Sequence, residues 1–93
     1  MMSLPKNDLK KQDILEKIAQ KFEVNKIYNE IEVNEIINSF DVDDHVLIRR
    51  ELINFGYLQR DPYKGTYWLL KKKLTDQELS RIGKNQQKIN EMD

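Results

Sequence analysis

Two stretches of the sequence carry residue types with chemical potential. DVDDH, residues 41–45, gathers three aspartates and the chain's one histidine, His45. RRELINFGYLQRDPYKGTYW, residues 49–68, sets two adjacent arginines ahead of a third, with lysine and aromatic side chains between and after them. An enzyme needs a nucleophile, a base or a metal held in workable geometry. DVDDH lacks the glycine and the distal glutamate of a calcium loop, and it offers too few soft ligands for zinc. Its aspartates fit helix capping instead, because a carboxylate accepts from the unpaired amides of a first helical turn. There is no glycine-rich phosphate loop and no nucleophile triad. The expectation is a protein that is not an enzyme and that needs no metal and no cofactor.

The arginines allow a different chemistry. Around a helix, at about 100° per residue with Ile48 facing the core, Arg49 falls about 100° away and Arg50 about 200° away. Arg50 therefore points outward, where a guanidinium can donate to a phosphate or to a guanine edge. Arg49 lies on the flank, within reach of a carboxylate of the preceding helix, Glu32 or Glu35. Arg60, Lys64 and the run Lys71, Lys72, Lys73 follow along a candidate hairpin, where backbone phosphates would lie. Tyr63 at the loop tip is suited to stacking on a base or sugar. The outward face also carries Val46 and Ile53. Aliphatics beside arginines suit a protein interface as well as thymine methyls. The residues thus support two readings. One is a nucleic-acid contact through Arg50, Arg60, Lys64 and Lys71–Lys73. The other is a protein interface, as in a homodimer, through Val46, Arg50 and Ile53.

These side chains need elements to hold them. Ninety-three residues make one domain. A first helix is predicted over 8–22, opened by Asn7 or Asp8, with Ile14, Leu15, Ile18 and Phe22 as its buried stripe. A second is predicted over 30–39. Asn29 and Glu32 form a capping box there, Tyr28 and Val33 a hydrophobic staple, and Val33, Ile36, Ile37 and Phe40 an apolar face. A third, over 44–55, has Asp43 as cap and Asp44 in its first turn, buries Ile48, Leu52 and Phe55, and stops at Gly56. Residues 57–70 read as two strands around a turn with Pro62 and Gly65. Tyr67 and Trp68 must face opposite sides of their strand, with Trp68 the expected structural member. Thr75 and Glu78 repeat the capping box before a C-terminal helix over 76–90, packed through Leu79, Ile82 and Ile89. Helix, helix, turn, helix and hairpin give an α+β fold: a winged helix-turn-helix of three helices and a β-hairpin wing, with an extra C-terminal helix.

IYNEIEVNEIINSF, LIRRELINFGYLQRD and GTYWL together resemble a bacterial domain of unknown function. Its pattern is Tyr-x-Glu-x-Glu-Val-Asn, Leu-Arg-Arg-x-Leu, Gly-x-Leu-x-Arg and a Tyr-Trp pair. Tyr28, Glu30, Glu32, Val33, Asn34, Arg49, Arg50, Leu52, Gly56, Leu58, Arg60, Tyr67 and Trp68 fit it, and Ile48 replaces the usual leucine. That domain occurs alone or behind arsenical-resistance-type helix-turn-helix regulators. The resemblance, over residues 27–69, implies a winged-helix fold and a role linked to transcription regulation.

Composition sets the remaining bounds. Net charge is zero, but Lys26 stands against Glu30, Glu32, Glu35, Asp41, Asp43 and Asp44, so residues 25–45 carry −5. Arg49, Arg50, Arg60, Lys64 and Lys71–Lys73 stand against Glu51 and Asp61, so residues 46–73 carry +5. Such asymmetry steers an anionic partner or favours self-association. The absence of cysteine excludes disulfides, and the first residues lack the apolar run of a signal peptide. No run is long enough for a membrane span. The expected location is the cytoplasm.

Overall fold

The computed structural model describes residues 1–83 as an α+β fold of four helices and one small antiparallel sheet. In chain order these are α1 (Asp8–Ala19), β1 (Ile27–Asn29), α2 (Glu30–Asn38), α3 (His45–Asn54), β2 (Leu58–Asp61) and β3 (Thr66–Leu69). A fourth helix, α4, occupies 76–83. The remainder of the predicted C-terminal helix, including Ile89, lies outside the described residues.

Local chemistry accounts for the helix starts. The Asn7 side chain accepts from the Lys10 amide to open α1. At α2 both halves of the capping box form: the Glu32 amide donates to Asn29 at 2.8 Å, and the Asn29 amide donates to Glu32 at 3.0 Å. The cap of α3 is Asp44, which accepts from the Leu47 amide at 3.0 Å, and not Asp43. Asp43 instead donates its amide to the Met2 carbonyl, in a short parallel bridge between Met2 and Val42. Asp41 turns through a left-handed φ of 54° beside it, so DVDDH is a turn followed by a cap.

The expected α1 stripe is corrected in two places. The helix ends at Ala19 and closes with tighter bonds from Lys21 to Ile18 and from Phe22 to Ala19. Phe22 still reaches the core from this turn, edge-on to Tyr28 with ring centroids 5.1 Å apart. Ile14 is only partly buried, and Gln12, three residues before Leu15, joins the buried face instead. Its amide nitrogen donates to the Asp8 carbonyl, and its oxygen accepts from the Tyr57 hydroxyl at 2.8 Å. A polar group in the interior is tolerated because both of its ends are satisfied.

The sheet has a third strand that periodicity did not reveal. β1 pairs with β3, which pairs with β2, giving the order β1-β3-β2. Three residues are too few to display alternation, and Tyr28 is the only buried one. Across the registers, Tyr28, Tyr67, Leu58 and Leu69 face the core. Trp68 stands opposite Ile27 on the other face and is half-buried, so Tyr67, not Trp68, is the core aromatic of the pair. Behind the sheet, Leu15, Ile18, Val33, Ile37, Ile48, Leu52 and Tyr57 complete a continuous core. Gly56, at φ +84°, ends α3 as expected and lets the Tyr57 amide return to the Leu52 carbonyl. Leu79 and Ile82 of α4 pack on the core's edge, and Leu74 is buried just before them.

Candidate functional site

The outward face of α3 and the β2–β3 hairpin, near its loop, enclose a groove of about 280 Å³. Helix α3 contributes Val46, Arg49, Arg50 and Ile53 to it, the sheet contributes Arg60 and Tyr67, and α2 contributes Glu30. Arg60 lies opposite Tyr67 in the strand register, with its guanidinium carbon 5.8 Å from the ring centroid. A buried aromatic face beneath a guanidinium favours the cation and restricts its motion.

The three arginines are not equivalent. Arg49 is held against α2: one terminal nitrogen lies 3.0 Å from Glu30 Oε1, and the other donates to Asn34 Oδ1. Its expected partners, Glu32 and Glu35, are displaced by a residue pair one helical turn apart on the α2 face that meets α3. Glu32 could not serve, because its carboxylate is already turned back onto the Asn29 amide. The four-residue spacing of Glu30 and Asn34 was the available signal. By contrast, Arg50 is exposed, and among the described residues neither it nor Arg60 has a carboxylate partner.

The other candidate cations divide between the two ends of the hairpin. Lys64 sits in the loop with Tyr63, which is 96% exposed. Asp61 organises that loop by accepting from the Tyr63 and Lys64 amides, and Gly65 closes it at φ +65°. Lys71, Lys72 and Lys73 follow β3 at the far end, about 13 Å away for four-residue strands. Lys71 is engaged there. Its ammonium binds Glu78, and the end of its stem lies over Gly56, with Cε 3.6 Å from where a Cβ would stand. The Lys72 carbonyl accepts from the Gln20 side chain, and Lys73 is exposed. The structure therefore unites Arg50, Arg60, Val46 and Ile53 in one groove and leaves Lys71–Lys73 apart from it.

Sequence reasoning also missed a second cross-link beneath α3. Lys11 lies 2.8 Å from Asp8 and 2.9 Å from the buried Glu51, and the hydrogen bond it donates to Asp8 leads in raising the lysine's pKa. This ion pair ties α1 to the inner side of the helix whose outer side carries Arg50.

Taken together, these elements define a small α+β domain with a cationic groove between its third helix and its hairpin. The chain belongs to the family described as "Uncharacterized protein conserved in bacteria (DUF2087)", whose model matches residues 1–69. The match ends with β3, so it takes in the whole groove and omits Lys71–Lys73 and α4. No curated protein and no solved structure matches the chain. Among the described residues no helix is long and apolar enough to cross a membrane.

Proposed function

We propose that this is a winged-helix module that binds nucleic acid, with α3 as the recognition helix and the β2–β3 hairpin as the wing. The chain order α1-β1-α2-α3-β2-β3 and the sheet order β1-β3-β2 support that fold reading. One observation carries the function. Arg50 from α3 and Arg60 from the hairpin line one groove, and neither is neutralised by a carboxylate among the described residues. In this reading the two guanidiniums take backbone phosphates, Lys64 and Tyr63 extend the contact at the wing tip, and Lys73 adds a peripheral charge. A transcription-associated role accords with the family resemblance.

A salt titration with duplex and single-stranded oligonucleotides tests the proposal. Counterion release requires the logarithm of affinity to fall linearly with the logarithm of salt concentration. Arg50→Ala and Arg60→Ala should each reduce the slope by about 1. No binding at low salt would end this reading. The second reading, a protein interface without nucleic acid, draws on Val46, which is 44% exposed beside Ile53 in the same groove. It requires association that survives high salt and weakens in Val46→Asp, measured by gel filtration over a range of concentrations.

A further inference from the structure

We propose that the groove is a one-phosphate subsite in which Glu30 competes with an incoming phosphodiester for Arg49. This rests on the nucleic-acid reading and adds a control to it. Arg50 and Arg60 face the groove ready to donate, whereas both terminal nitrogens of Arg49 are already occupied, one by Glu30 and one by Asn34. The Glu30 carboxylate lines the same groove and is itself half-exposed, at 52%. A phosphodiester seated against Arg50 and Arg60 brings a second negative charge into that confined space. The two anions repel, and Glu30 is the one that can turn out into solvent, because it sits half-exposed in the first turn of α2.

Release of Glu30 does not free Arg49 to wander. Asn34 still holds its other nitrogen, so the guanidinium stays at the groove wall with one donor turned to the phosphate. The exchange replaces an internal carboxylate with an external phosphate at little net gain. Glu30 thus lowers affinity for any phosphate that Arg50 and Arg60 attract, and only a phosphate placed deeply enough to reach Arg49 recovers the third contact. The consequence is discrimination by geometry: a well-seated backbone phosphate is accepted, while loosely associated polyanions meet a carboxylate.

Glu30→Gln tests this, since it keeps the shape and removes the charge. Binding of a short mixed-sequence DNA duplex at low salt should tighten by about three- to tenfold, the effect of removing one like charge a few ångströms from the bound phosphate. Its salt slope should rise by up to about 1 as Arg49 joins the contact. A merely structural role for Glu30 predicts the opposite, because losing its ion pair loosens the groove. A folded Glu30→Gln that binds as the wild type does, or more weakly, overturns the inference and leaves the nucleic-acid reading standing. Failure of both proteins to bind removes both proposals. Binding by Glu30→Gln alone supports the competition in its strongest form. Should that variant not fold, the side-chain N–H resonances of wild-type Arg49 decide during titration with the duplex. Displacement of Glu30 moves them, and resonances that stay fixed at saturation refute the exchange.

Discussion

The clearest separation between structure and contact lies in the adjacent arginines, and Arg49→Ala measures it. The Arg49 side chain is 17% exposed and touches α2 twice. Its ion pair with the half-exposed Glu30 is of the solvent-screened kind, worth about 0.2–1 kcal/mol. The hydrogen bond to Asn34 is charge-assisted and partly buried, worth about 1.5 kcal/mol or somewhat more. Truncation also removes the aliphatic stem, adding roughly 0.5 kcal/mol of lost packing. These contributions overlap, so the expected loss is about 1.5–3 kcal/mol, against a change within about ±0.5 kcal/mol for Arg50→Ala. Urea melts with a common slope give both values from the midpoints. A cycle with Asn34→Ala should show the larger coupling, a cycle with Glu30→Gln a smaller one, and Glu32→Gln should be additive with Arg49→Ala. If Arg49→Ala melted with the wild type, or coupled to Glu32 instead, the α2–α3 staple would not exist. The assignment of Arg49 to support and Arg50 to contact would then be void.

Four further outcomes are expected. Asn29→Ala should cost about 1 kcal/mol in a thermal or urea melt by breaking the capping box of α2. Tyr57→Phe should cost about 1–2 kcal/mol, because the buried Gln12 oxygen loses its donor. Burial, reinforced by Glu16, Glu78 and Asp13, pushes the Tyr57 phenol up to about 12 from its ordinary 10. Its folded pKa is raised, so this contribution to stability is intact below pH 10 and is lost as pH rises through about 12, which ultraviolet phenolate titration alongside unfolding would follow. Glu78 is held down to about 2 from 4.5, first by the Lys71 ammonium and then by the Thr75 amide. Its support for α4 is therefore present above pH 4.5 and fades as pH falls through about 2, so the protection factor of the Leu79 amide, measured against its intrinsic exchange rate at each pH, should fall across that window.

Much of this architecture was legible because local chemistry and burial agreed. Asn29 with Glu32, and Thr75 with Glu78, form the capping boxes that their spacing predicts, Gly56 takes the left-handed conformation expected of it, and Gly65 lies in the turn between the two strands. The illegible parts were set by tertiary partners. Phe22 is buried whether or not α1 continues through it, so its periodicity overran the helix. Strand β1 exists because β3 offers it a ladder, which three residues cannot announce. Gln12 and Glu51 are buried because Tyr57 and Lys11 meet them from sequence positions far away. The outward phase of Arg50 followed from helical geometry alone. The partners of Arg49 depended on which face of α2 meets α3, and the convergence of Arg50 with Arg60 depended on the hairpin's path across the sheet.

The same contacts explain how a chain of zero net charge can present a cationic groove. Several of its carboxylates are engaged elsewhere: Glu32 with the Asn29 amide, Asp44 with the Leu47 amide, Asp61 within its hairpin loop, and Glu78 with Thr75 and Lys71. Glu51 lies buried against Lys11. Acidic side chains are favoured where the unpaired amides of helix starts and turns accumulate, and these positions are fixed by the fold. Basic side chains have no such demand at the α3–hairpin junction, so Arg50 and Arg60 remain available there. Glu30 is the exception, a carboxylate that enters the groove, and it is paired with the one groove arginine that the fold also uses for support. Local pairing, and not total charge, therefore decides what this surface offers a partner. Within the groove that offer depends most on the single carboxylate at position 30.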